Sequence, residues 1–208
     1  HMDGPLYRNA YSPSDLDTEW ERVYSTIISN NRTLEPVAIS KEAFQHLGIA
    51  QVIEAYAVTT LVDYFGDVPY KEAVAGISNP KRDAGSSVYA DMITLLDSAI
   101  TNLTAESAIS YNSDLFYGGD SDDWVSLANT LKLKLYLQSR LVDNTAASKI
   151  NAIIADGNII DTAAEDFQFN WSSNDNNPDS RHPIFARNFD SPGAVSYTHL
   201  TLPTMFEV

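Results

Sequence analysis

The chain has 208 residues, 44% of them hydrophobic and 11% aromatic, which is enough apolar material for one packed domain. Its formal charge of −15, with 13 basic residues against 28 acidic ones, repels phosphate backbones and argues against a nucleic-acid partner. Cysteine is absent, which excludes disulfides and thiolate metal sites, and no apolar run approaches the ~20 residues of a membrane span.

Residues 3–13 are turn-rich. Ser14 reads as an N-cap, with Asp15, Asp17 and Glu19 suited to the positive end of the helix that follows. Trp20, Val23, Tyr24, Ile27 and Ile28 then recur at helical steps. Ser40 reads as the cap of a second, longer helix reaching Phe65. Its apolar residues, from Phe44 and Leu47 through Val52 and Tyr56 to Val62, point nearly all round the axis, so neighbours should enclose it. Gly66 ends that helix and Pro69 prevents its resumption. After a loop over 75–86, Ser87 reads as the cap of a third helix, with Val88, Met92, Leu95, Leu96, Ala99 and Leu103 on one stripe.

Residues 121–143 carry two patterns. Leu131, Leu133, Leu135 and Leu137 alternate with polar residues as in a strand, while Trp124, Leu127, Ala128, Leu131, Leu135 and Leu141 share a helical face. Leu, Lys, Gln and Arg favour helix, and Asp122 and Asp123 precede Lys132, Lys134 and Arg140 as the helix dipole prefers. The segment therefore reads as helix. A short helix from Ala146 to Ala155 ends at Gly157, and residues 161–193 are polar and loop-like. The fold class is mainly α, built of antiparallel helix pairs.

Catalytic signatures are missing. The histidines are His1, His46, His182 and His199, none with a metal-ligand partner at helical spacing, and there is no H-E-x-x-H, P-loop or G-x-S-x-G. No catalytic residue, metal or cofactor is assigned. His46, on an apolar helix, reads as a hydrogen-bonded core histidine. Asp114, Asp120, Asp122 and Asp123 read as capping and solvating groups; a glycosidase would need two carboxylates facing across a pocket at ~5–9.5 Å. Asn174 to Asp179 lacks the Gly and terminal Glu of a calcium loop and reads as a polar turn.

The helix end from Ala55-Tyr56 to Asp63-Tyr64-Phe65-Gly66-Asp67-Val68-Pro69-Tyr70 resembles the helix-to-loop signature of the SusD/RagB family. Gly66 permits the turn, Pro69 stiffens it, Asp67 can accept from nearby amides, and Tyr70 should pack back with its hydroxyl free. Further pieces follow in the family's order: Asn79-Pro80-Lys81-Arg82-Asp83, then Leu96-Asp97-Ser98-Ala99, then Asp114 to Asp120 with Trp124 and Ala128 to Lys134. The resemblance implies a partial SusD-like domain with irregular tetratricopeptide-like helix pairs, occupying residues 3–194. It also implies a non-enzymatic, lipid-anchored protein of the outer-membrane surface that binds an oligosaccharide or a peptide and works with a TonB-dependent SusC-type transporter. Trp171, Asn174, Asp175 and Arg181 of the polar loop, with Tyr117, are the expected ligand-binding residues. A tetratricopeptide-type scaffold binding a protein tail is the alternative from another class.

Two segments read as non-native. His1-Met2 reads as a cloning remnant or an open contig end. Val195 to Thr204, within the tail 195–208, is what one frame of a transposon-based sequencing adapter encodes.

Overall fold

The computed structural model describes residues 13–111, 113–175 and 180–185. The expected remnant at 1–2, residues 3–12 of the turn-rich start, the tail 195–208, and residues 176–179 of the polar turn lie outside the described residues. The chain divides into two units, Tyr11–Gln168, and His1–Ala10 with Phe169–Val208.

In the larger unit a 3-10 turn, Pro13–Leu16, leads into α1 (Asp17–Glu21), whose N-cap position is Leu16 and not Ser14. A π-helical stretch, Arg22–Ile28, and α2 (Ser29–Ser40) follow without interruption. Ser40 closes this first helix: its hydroxyl donates back to the Val37 carbonyl at 2.8 Å, and α3 (Phe44–Phe65) starts from Ala43 with no side-chain cap. The expected boundary was displaced because α2 carries Ser-Asn-Asn-Arg-Thr on a largely solvated surface, which leaves little apolar periodicity to read. Pro36 lies within α2.

α3 is the central element, as its all-round apolar pattern predicts. It packs against α2, against α4 (Gly85–Thr104) and against α5 (Ser121–Ser139). Gln51 near the start of α3 meets Asn102 near the end of α4, while Asp63 at the other end meets Tyr89, so the two helices are antiparallel. Asp97 of α4 pairs with Lys132 of α5, and Tyr89 lies against Gln138, which makes that pair antiparallel too. α6 (Ala146–Asp156) folds back on α5 and ends at Gly157, where φ is 75°. Among the described residues there is no strand, only an isolated antiparallel bridge between Val68 and Asp83.

Val52, Val58, Val88, Met92, Leu96, Trp124 and Leu135 are almost fully enclosed where these helices meet. Each contributes roughly 1.5–3 kcal/mol relative to exposure. The helical reading of 121–143 holds over Ser121–Ser139, with Asp120 as N-cap accepting from the Asp122 amide. Leu141 does not share the buried face; the helix has already ended, and the residue is 86% exposed. α4 starts one turn before Ser87, from Ala84, and its first amide, that of Gly85, donates to Asp67 Oδ1 at 2.9 Å. The cap therefore comes from the signature turn, and Ser87 instead accepts from Lys71 Nζ.

That turn is built round a buried charge. Glu54, in the middle of α3, is 1% exposed and accepts from four donors: Asn31 Nδ2, Arg32 Nη1, Arg32 Nη2 and the Tyr70 hydroxyl, at 2.9–3.2 Å. The Tyr70 hydroxyl is thus engaged and not free. Burial, and next the charge of Glu54, raise the Tyr70 pKa, which keeps the phenol a donor. Asp83 Oδ2 accepts from the amides of Tyr70 and Lys71, and the Tyr24 hydroxyl donates to the Pro69 carbonyl at 2.7 Å. This bonding gives the turn a structural role.

His46 differs from its expected role. Its Nδ1 is buried with no hydrogen-bond partner, and the ring packs edge-on to Tyr111 at 4.8 Å. Packing against an aromatic ring takes the place of the expected bond.

Two substitutions test this scheme. A Cβ at Gly48 would lie 2.6 Å from Leu103 Cγ and 3.0 Å from the Ala99 carbonyl oxygen, so Gly48→Ala forces α3 and α4 apart. It should cost about 1–3 kcal/mol in urea unfolding. Arg32→Met strips the principal counter-charge from a buried carboxylate and should cost about 3 kcal/mol, much of it recovered when Glu54→Gln is added. Additive effects in that double-mutant cycle would contradict the clamp.

Candidate functional site

Trp171, Asn174, Asp175 and Arg181 all belong to the smaller unit, within one short stretch. The loop closes on itself: Ser172 N donates to the Ser180 carbonyl, Ser180 N to the Asn174 carbonyl, and Asn174 N to Ser172 Oγ, at 2.9–3.1 Å. Trp171 is 49% exposed, with Phe169 edge-on at 4.7 Å and His182 at 5.1 Å. A half-exposed indole with edge-type contacts to two other rings, and Asp175 exposed nearby in sequence, has the composition that stacks on a sugar ring.

Tyr117 belongs to the helical unit and serves a different cluster. Its hydroxyl donates to the Glu165 carbonyl at 2.8 Å, and its ring meets Trp124 edge-on at 5.3 Å. Burial, followed by the charges of Asp123, Asp166, Asp114 and Glu165, raises its pKa to about 12. Asp114 organises the loop beneath, accepting from the amides of Phe116, Tyr117 and Gly119 and from Trp124 Nε1. Asp114 and Asp120 are therefore structural acceptors, as their capping reading anticipates. Among the described residues no group of three or more His, Cys, Asp or Glu could hold a metal ion.

A concavity of the helical unit lies elsewhere. A cavity of 670 Å³ is walled by the first half of α4, the end of α5 and α6, with Tyr89, Ile93, Tyr136, Gln138, Asp143 and Lys149 among its lining residues. The Tyr89 hydroxyl donates to Asp63, and Gln138 Oε1 lies 2.9 Å from the same oxygen. Burial and then Asp63 raise the Tyr89 pKa, so the phenol stays protonated. Lys149 pairs with Asp143 at 3.0 Å and lies 5.0 Å from the Tyr136 ring centroid. None of these was assigned to a site from the sequence. The one available signal was an aromatic residue off the apolar stripe of its helix, at Tyr89 and Tyr136.

A family model described as "Starch-binding associating with outer membrane" matches residues 6–197, nearly the whole chain. The chain belongs to the SusD-like family. A SusD/RagB family protein from Bacteroides thetaiotaomicron superposes with a TM-score of 0.70 at 26% identity, covering 78% of this chain and 35% of that one. A chitin-binding protein follows at 0.66 and 27%, covering 76% and 35%. A chitin-binding SusD homologue from Flavobacterium johnsoniae matches at 0.65, covering 72% and 33%; at 23% identity it bears on the fold alone. The chain thus spans about a third of the length of these three solved structures. No curated protein matches it.

The Asp143 carboxylate offers a local check. The Thr145 hydroxyl and amide, then Lys149, lower its pKa from 3.8 to about 2. Because the folded value is depressed, the group adds stability above its ordinary pKa and loses it as pH falls through about 2. Thr145→Val should move the Asp143 carboxyl titration, followed by NMR, back up towards 3.8.

Proposed function

We propose that this chain is part of a cell-surface nutrient binder that captures glycan for a TonB-dependent SusC-type transporter of the outer membrane. The observation that carries the reading is membership of a family described as starch-binding and outer-membrane-associated. A similar solved structure described as a chitin-binding protein supports the same ligand class. The protein binds and does not turn over its ligand. Lipid anchorage at the outer surface goes with the SusD-like reading.

Trp171 is the proposed stacking platform, with Asn174, Asp175 and Arg181 supplying hydrogen bonds to ring hydroxyls. Tyr117 belongs to the helical unit, and its hydroxyl is committed to a backbone carbonyl. Calorimetry with malto- and chito-oligosaccharides tests this directly. Trp171→Ala should weaken binding by about tenfold or more, the loss of one aromatic contact. An unchanged affinity would remove this loop from the site.

A further inference from the structure

We propose that the 670 Å³ cavity between α4, α5 and α6 is a second glycan site, which takes a short neutral oligosaccharide. The proposal rests on the glycan-binding reading above and adds a location to it. The volume lies within the ~300–1,000 Å³ of small-molecule sites.

The walls select the ligand class. Tyr89 and Tyr136, from neighbouring antiparallel helices, both line the space, and Val62, Ala90 and Ile93 add apolar surface. Tyr89 is immobilised by its hydroxyl: Asp63 accepts from it, and Asp63 is itself held by Lys134 Nζ at 3.2 Å and Gln138 Nε2 at 3.4 Å. An aromatic wall fixed in this way binds without first losing its own rotational freedom. The charges also cancel locally. Asp143 pairs with Lys149, and Asp63 with Lys134, so an ionic ligand would find no unpaired counter-charge here. A purely apolar ligand such as an acyl chain would desolvate the Asp143–Lys149 pair and the Ser86 hydroxyl with nothing in return. A sugar ring meets both conditions, with apolar C–H faces for the tyrosines and rim hydroxyls for Ser86, Asp143 and Lys149.

The test is calorimetry of the chain with maltohexaose and chitohexaose, comparing Tyr136→Ala, Ala90→Trp and Trp171→Ala. Tyr136→Ala removes one wall; Ala90→Trp adds bulk from an exposed helical position that lines the cavity and leaves the core untouched. The expected result is about a tenfold loss of affinity, or loss of one of two binding events, in both cavity variants, with melting temperatures unchanged. Wild-type binding that Ala90→Trp leaves intact overturns the cavity site while the glycan reading stands. If neither sugar binds the wild-type chain, the glycan reading itself fails and the cavity site with it.

Discussion

A carboxylate enclosed in the middle of a helix is costly unless its lone pairs are filled, and the rest of this fold is arranged round one that is. Glu54 gathers Asn31 and Arg32 from α2 and Tyr70 from the signature turn. One buried charge thereby ties together three segments far apart in sequence. The pair with Arg32 is partly solvated, since the arginine side chain remains 40% exposed. Its main effect is therefore on register: it fixes which turn of α2 faces which turn of α3, where apolar contacts alone would tolerate slippage.

The turn passes this order on. With Tyr70 anchored, Asp83 can accept from two successive amides, Val68 is buried at the bridge to Asp83, and Asp67 reaches the first amide of α4. The start of α4 is thus placed by the end of α3 through side-chain acceptors and not through a local cap. Since Tyr89 lies in the second turn of α4, the wall of the cavity inherits its position from the same chain of contacts. A scaffold motif and a binding surface are in this way linked by geometry.

Carboxylates have this structural use in the helical unit more than once. Asp114 holds three amides and an indole, Asp120 caps α5, and Asp143 is held by Thr145 and Lys149. An acidic chain with few basic residues relies on backbone amides as donors, because those are the donors it has in quantity. The same accounting explains why spacing in the sequence pointed to no catalytic pair: the aspartates are distributed at helix starts and turns, where amides need acceptors.

Some of this was legible from the residues alone. The periodicity of Phe44–Phe65, of the Val88 to Leu103 stripe and of the Trp124 to Leu135 face determined three helices, because burial on packing demands apolar side chains at those steps. Gly66 and Gly157 marked their helix ends because both adopt a φ that other residues resist. What the sequence could not determine was anything decided by a distant partner. Ser40 and Ser87 looked like caps, yet α3 starts from Ala43 with no side-chain cap and the acceptor at the start of α4 arrives from Asp67; Tyr70 looked unengaged because Glu54 lies sixteen positions away. The cavity depends on Tyr89 and Tyr136 meeting across two antiparallel helices, and Leu141 fell outside the core because its helix had already stopped. Local pattern set which segments coil; tertiary contacts set which side chains are consumed in holding them and which are left to face a ligand.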